Sequence, residues 1–220
     1  RSSEEQTAQQ QLTAAENALD LLQDGFTKTV EALRQNQLVT QALFDDSAED
    51  SKVYNQLFQA TEALRSFASF HLYDISGHWR YSTQSAPKEK DLPTNWGILY
   101  QAAQAPGQLV YSSRQSYGDT TRPPLCSAAL LTDRYGAPMG YLVIELWESQ
   151  LGALLGGLAG AQNELLLLDA LWHPIYCTQS AQALPLATAL RSQLLEGRSL
   201  TGLSDEFHYT VGRHPGTGLY

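Results

Sequence analysis

Residues 72–86 read LYDISGHWRYSTQSA, and residues 167–181 read LLDALWHPIYCTQSA. At a constant offset of 95 positions, eight of these fifteen residues are identical: Leu72/Leu167, Asp74/Asp169, His78/His173, Tyr81/Tyr176, Thr83/Thr178, Gln84/Gln179, Ser85/Ser180 and Ala86/Ala181. Self-similarity of this kind means one supersecondary unit used twice. In the first copy Asp74-Ile-Ser-Gly77 carries Asp at the first turn position and Gly at the last, the chemistry of a tight hairpin connection. The spacing predicts strands over 67–74 and 78–83, and the same hairpin again around Asp169.

Upstream, residues 3–44 contain no proline and one glycine, Gly25. Leu12, Leu19, Phe26 and Leu33 recur every seven residues, with Ala15 and Leu22 on the intervening seam. That pattern predicts one uninterrupted helix whose apolar stripe packs on its own domain, on the same helix of a second subunit, or on both. A homodimer through this helix is therefore one expected partner. An acidic break follows, with Ser47 or Asp50 placed to cap a helix over 51–66. Residues 84–93 form a charged loop bounded by proline, and 95–104 read as a short helix.

Strands are expected over 109–115, 125–132 and 141–147, in antiparallel order, with a Gly-bearing helix over 149–160 leading away. After the second copy of the repeat come a helix over 184–195 and strands over 199–203 and 207–212. The expected fold class is α+β: a long N-terminal helix, then two small modules with antiparallel sheets. The divisions are 1–44 for the helix, 45–150 for the larger module, 151–163 for a connector and 164–220 for the smaller one.

Composition narrows the function. Fourteen basic against 23 acidic residues give a net charge of -9, which argues against a nucleic-acid partner, since phosphates need clustered Lys and Arg. Two cysteines, Cys126 and Cys177, are too few for a disulfide framework or a four-ligand zinc site, and each lies in an apolar run that reads as a buried strand. No run reaches the roughly 18 apolar residues of a membrane span. The five histidines are scattered, with no His-Glu-x-x-His run, no Gly-x-Ser-x-Gly elbow and no phosphate-cradling glycine loop. Neither a catalytic residue, a metal site nor a cofactor is expected.

Taken in order, the long helix, the first α+β unit, the glycine-bearing connector and the smaller second unit resemble a double Cache sensor domain. Asp74-x-x-Gly77, Gly136-Ala-Pro-Met-Gly140-Tyr-Leu-Val-Ile-Glu145 and Leu167-Leu-Asp169 carry the resemblance, which covers nearly the whole chain. The ending, Pro215-Gly-Thr-Gly-Leu-Tyr220, is similar to the segment that leads such domains back to the membrane. The family consists of tandem PAS-like modules on the extracytoplasmic side of bacterial transmembrane receptors. The resemblance implies a larger module that holds a small-molecule ligand, a smaller module nearer the membrane, and a long helix that carries the signal to it. It leaves open whether the output is a histidine kinase, a chemoreceptor, a diguanylate cyclase or a phosphatase.

Amino-acid-binding members carry Arg-x-Trp-Tyr-x-x-Ala on the helix that faces the pocket. The matching stretch here is Gly97-Ile-Leu-Tyr100-Gln-Ala-Ala103: Tyr100 and Ala103 match, while Gly97 and Leu99 replace the arginine and tryptophan. Without that arginine the bidentate carboxylate clamp is missing. In those members a later aspartate receives the ligand amine; Glu145 occupies that position here and could meet a cation or a hydroxyl. From the residues themselves, Trp79, Tyr81, Trp96, Tyr100, Tyr111 and Tyr117 supply apolar faces with polar tips, which suit a pocket for a small, partly polar ligand. Arg114 and Arg122 flank Tyr117-Gly-Asp119 in a loop that could close over it. The candidate ligand-binding residues are thus Trp79, Tyr81, Trp96, Tyr100, Tyr111, Arg114, Tyr117 and Glu145. The plainer alternative is that these aromatics are core of a small sheet and that the chain is a dimerisation module without a ligand.

Overall fold

The structure is a computed structural model that describes residues 3–45, 49–114, 119–160, 163–178, 180–197, 201–203 and 208–220. It resolves two compact units. One comprises Leu22–Ser112 and Leu125–Trp147; the other comprises Arg1–Leu21, Ser113–Pro124 and Glu148–Tyr220. Helix α1 (Ser3–Gln35) contributes to both.

The expected helix over 3–44 is two helices. After α1 the chain breaks at Asn36, and α2 (Gln37–Phe44) begins. Asn36 has extended backbone, its Oδ1 accepts from Val39 N–H at 3.2 Å, and its Nδ2 donates to Gln56 at 2.7 Å. An asparagine side chain that satisfies an orphan amide is a standard way to restart a helix. The heptad seam is used inside the chain: Ala15, Leu19, Leu22, Phe26 and Leu33 are all buried. On the outward side Leu21 is exposed amid polar residues, so the seam itself is not available to a second helix. The next helix, α3 (Asp50–Thr61), has Glu49 at its cap position without a side-chain cap bond; Ser47 lies outside the described residues.

In the larger unit β1 (Ser69–Asp74), β2 (Trp79–Ser82), β3 (Val110–Ser113), β4 (Leu125–Thr132) and β5 (Pro138–Leu146) form one sheet in the order β2-β1-β5-β4-β3. The pairings β1/β2, β1/β5 and β4/β5 are antiparallel. Strand alternation sends Phe70, Leu72, Leu142 and Ile144 to one face, where Phe26 of α1 meets Phe70 edge-on at 5.8 Å. Helices α2 and α3 cover that face too. On the opposite face helix α4 (Gly97–Gln104) packs on β4.

The smaller unit holds α5 (Glu148–Leu155), a 3-10 turn over 156–158, the hairpin β6 (Leu166–Leu168) and β7 (Pro174–Cys177), α6 (Ser180–Leu195), and a second ladder of β8 (Thr201–Leu203) with β9 (His208–Thr210). Cys126 and Cys177 are buried thiols, not joined in a disulfide.

The sequence repeat reappears bond for bond. Asp74 Oδ1 accepts from the amides of Ser76 and His78 at 2.9 and 3.0 Å; Asp169 Oδ1 accepts from Leu171 and His173 at 2.8 and 2.9 Å. Thr83 Oγ1 accepts from Phe70 N–H and Thr178 Oγ1 from Leu165 N–H, both at 3.0 Å. Each copy also has a bulge at the same place, between Leu72 and Tyr73 and between Leu167 and Leu168. The β4–β5 connection uses the device a third time, with Asp133 Oδ1 accepting from Tyr135 and Ala137 and Gly136 left-handed at φ 83°.

Gly77 is required twice over. Its φ of 87° is a left-handed conformation, and a Cβ there would sit 2.1 Å from the carbonyl oxygen of Leu92, whose amide bonds to Gly77 O at 2.8 Å. Gly77→Ala should cost about 2 kcal/mol or more, from the left-handed penalty and the forced separation of the two chains. Urea denaturation measures it, and an unchanged midpoint would show that the 84–96 segment is not held against the turn.

Candidate functional site

The register places Ser69, His71 and Tyr73 of β1 opposite Glu145, Val143 and Tyr141 of β5, all on the face toward α4. Cys126, Ala128 and Leu130 of β4 join them, and so do Ser82 and, past the bulge, Trp79 of β2. Leu99 and Ala102 of α4 are fully buried against this face, with Tyr73, Leu130 and Tyr141 in one cluster. The segment between β2 and α4 straps its edge. Tyr73 Oη donates to Glu89 O at 2.7 Å, Trp79 N–H donates to Lys90 O at 2.7 Å, and the Lys90 ammonium lies 5.5 Å from the Trp79 ring centre. His78 Nδ1 meets Asp91 at 2.5 Å, and that hydrogen bond, followed by the charge of Asp74, raises the imidazole pKa.

Across this otherwise apolar face runs a chain of polar groups. Trp79 Nε1–H donates to Ser82 Oγ at 2.7 Å, Ser82 Oγ is 2.5 Å from His71 Nδ1, and His71 Nε2 is 2.5 Å from Glu145 Oε1. An indole can only donate, so Ser82 oxygen is an acceptor there and its own hydrogen is free for His71 Nδ1. The neutral imidazole protonated on Nε2 then satisfies all four groups in one direction, ending on the carboxylate. His71 is 2% exposed and the Glu145 side chain 14%, so the relay opens toward solvent at its acidic end. Oε1 of Glu145 is the oxygen engaged by His71. Burial, then the charges of Glu145 and Glu89, push the Tyr73 phenol well above its ordinary range. The face is therefore acidic at one end and supplies a hydrogen-bond acceptor there.

The expected residues of the larger unit do not all lie on one face. Trp79 and Glu145 share the α4-side face. Tyr81 pairs with Leu72 on the other face, where its hydroxyl donates to Asp50 at 2.9 Å and its ring meets Tyr54 edge-on at 5.3 Å. Val110 packs in the α4-side cluster, so alternation puts Tyr111 on the far face, beside Ser127. Trp96, the residue that precedes α4, and Tyr100, on α4 itself, are 66% and 46% exposed, unlike Leu99 and Ala102 against the sheet. Arg114 follows β3 in the other compact unit, its amide bonded to Pro124 O at 2.9 Å. Tyr117 lies outside the described residues. His71 and Ser82, the middle of the relay, were not among the candidates. For His71 the signal was alternation, since Tyr73 of the same face stands two places on; Ser82 stands three places from Trp79 across the bulge, and nothing local ties either to Glu145.

Gly97, at the position of the family's arginine, opens α4 with φ 78° and has open space where a Cβ would project. An arginine there would be strained by the backbone, not by crowding. Among the described residues no group of three His, Cys, Asp or Glu could hold a metal ion, and no helix is long and apolar enough to cross a membrane.

No family model matches the sequence, and no curated protein matches it. Solved structures do. The extracellular domain of vpHK1S-Z8, assigned as a histidine kinase, aligns over 98% of this chain and 93% of its own with a TM-score of 0.68 and 15% identity. The ligand-binding domain of the Campylobacter jejuni chemoreceptor Tlp3, in complex with 4-methylisoleucine, aligns over 82% and 73% with a TM-score of 0.58 and 16% identity. The sensor domain of the Vibrio cholerae histidine kinase DctB aligns over 90% and 70% with a TM-score of 0.59 and 13% identity. At these identities the likeness is one of fold. The chain has the α+β, PAS-like fold of the ligand-binding sensor domains of chemoreceptors and histidine kinases, as the resemblance to double Cache domains implied.

Two outcomes follow for this sheet. His71→Leu leaves the Ser82 and Glu145 partners unpaired and should cost about 1–3 kcal/mol, while a cycle with Glu145→Leu should show coupling of at least about 0.5 kcal/mol; additive losses would mean that the relay does not act as a unit. Among the described residues the Tyr111 hydroxyl is buried without a hydrogen-bond partner in normal geometry, and burial pushes its pKa from 10.0 up to about 12, tempered by neighbouring Ser127. The folded state then holds the proton longer than the unfolded one, so stability is intact below pH 10 and falls as pH rises through about 12. Tyr111→Phe should remove the roughly 1–1.5 kcal/mol of that alkaline loss that has developed by pH 11 and leave neutral stability unchanged or higher, as read from denaturation midpoints at pH 8 and 11.

Proposed function

We propose that this chain is the extracytoplasmic small-molecule sensor domain of a bacterial signal-transduction receptor. The observation that carries the reading is the strapped sheet face of the larger unit, where a buried relay ends in the partly open carboxylate of Glu145. Its support is the fold shared with ligand-binding domains of receptors. Trp79 supplies an aromatic wall at one end of the relay, and Glu145 accepts a hydrogen bond from the ligand at the other. The expected ligand is small and carries an amine or hydroxyl donor. With Gly97 in place of an arginine it is not held by a bidentate carboxylate clamp.

Ligand binding favours the arrangement of α4 and the strap that it fits better, which is the condition for any shift of population. Helix α1, which belongs to both compact units, carries the change toward the membrane. A homodimer would have to use the outward, largely polar side of α1. The second reading, an interaction module without a small ligand, draws on the tight filling of the face around Tyr73, Leu99 and Tyr141.

A thermal-shift screen with amines, amino acids, carboxylates, purines and sugars, followed by calorimetry, separates the two. A ligand at 100 times its dissociation constant stabilises the fold by about 2.7 kcal/mol. The expected result is a hit among the amines or amino acids that Glu145→Gln weakens by roughly tenfold or more. Tyr100→Ala tests whether the outer side of α4 takes part. A flat screen across all five classes would favour the interaction module.

A further inference from the structure

The last ten residues of the sequence run between helix α1 and the β6–β7 hairpin, inside the smaller compact unit. On the α1 side His214 is 3% exposed. Its Nε2 donates to Asp20 at 2.6 Å, and its Nδ1 accepts from the Thr217 hydroxyl at 2.9 Å and from the Thr217 amide at 3.2 Å. A Cβ on Gly212 would lie 2.6 Å from a carboxylate oxygen of Glu16 on α1, so the segment runs hard against the helix. On the hairpin side Tyr220 and Leu168 exchange both backbone bonds, at 2.9 and 2.6 Å, and the Tyr220 ring lies 4.3 Å from that of Trp172, centre to centre.

Trp172 is the one non-glycine residue with positive φ among the described residues, at 66°. In the first copy of the repeat the same place is held by Gly77, at 87°. The Asp-capped turn thus demands a left-handed residue, and the second copy meets the demand with a bulky side chain that resists it. Such a conformation persists only where the surroundings over-determine it. Here the surroundings are the ring of Tyr220 and the cluster of Leu168, Leu190 and Leu194.

We infer that Val211–Tyr220 is a latch that couples helix α1 to the conformation of the Asp169–His173 turn. With Tyr220 docked, the turn is held left-handed at Trp172. When the segment lifts from α1, Trp172 loses its ring partner and the turn relaxes. The relaxed turn in its turn withdraws the surface on which Tyr220 packs. Coupling of this kind is reciprocal, so a displacement of α1 reads out at the hairpin and the reverse. The latch does not depend on the ligand proposed above, since every contact in it lies in the smaller unit.

The test is amide hydrogen exchange on the full chain. Asp20→Ala removes the α1 anchor at a side chain that is 62% exposed, so folding is not at risk. The expected result is exchange at Trp172 and His173, whose amides bond to Asp169, faster by roughly five-fold or more, with the amides of α5 unchanged. Tyr220→Ala should give the same pattern from the other end. In a Trp172→Gly background neither change should alter exchange in the turn, because glycine keeps the left-handed conformation unaided. An unaffected turn in Asp20→Ala, an equal effect in the Trp172→Gly background, or acceleration of α5 to the same extent would each overturn the latch.

Discussion

An aspartate oxygen that accepts two backbone amides closes three hairpins of this chain, at Asp74, Asp133 and Asp169. Much else depends on that bond pair. It spares the turn two unsatisfied donors, which inside a small domain would be costly, and it fixes where each strand restarts. The restart sets the parity of the returning strand, and a shift of one residue would exchange its two faces. In β2 the bulge after Leu72 returns Trp79 to the α4-side face while Tyr81 stays on the other. The partition between core, relay and solvent in the larger unit is thus decided at the turns and only then filled by side chains.

Within that partition the polar relay sits where an apolar sheet face would be simpler. Serine, histidine and glutamate side chains buried beside Val143 and Ala128 are tolerable only because each donor has an acceptor. Such a chain is directional, since the indole at one end only donates and the carboxylate at the other only accepts when ionised. A change at either end alters what the next group can do, and Lys90 on the strap already lies over the Trp79 ring. The face therefore joins a solvent-touching acid to the covering segment without any moving backbone.

The hairpins were legible in the sequence because Asp74-x-x-Gly77 is local chemistry and because the repeat carries the same aspartate into a second copy at Asp169. The strand over 125–132 was legible to the residue, being apolar except at Ser127 and Thr132 and buried at every position. The break at Asn36 was not, since an asparagine among glutamines carries no helix-stop signal until Gln56 and Val39 are in place around it. Tyr81 and Tyr111 were grouped with Trp79 by type. Their faces are set by a bulge and by neighbours on other strands, neither of which composition reveals. His71 looked solitary for the same reason: its partners are eleven and 74 residues away. In the second copy of the repeat tryptophan stands where glycine would have announced the turn.

The left-handed start of α4 bears on how this sheet face and its cover can change over generations. A receptor that gains or loses a ligand class is usually pictured as exchanging one side chain for another in a fixed frame. At position 97 the frame itself is specialised, since a residue with a Cβ would be disfavoured there whatever its charge. A path toward a carboxylate clamp would first have to unwind and restart the helix, and only then would an arginine be tolerated. Backbone conformation at a single glycine thus separates two recognition chemistries by two steps instead of one, and the first step brings no gain in binding.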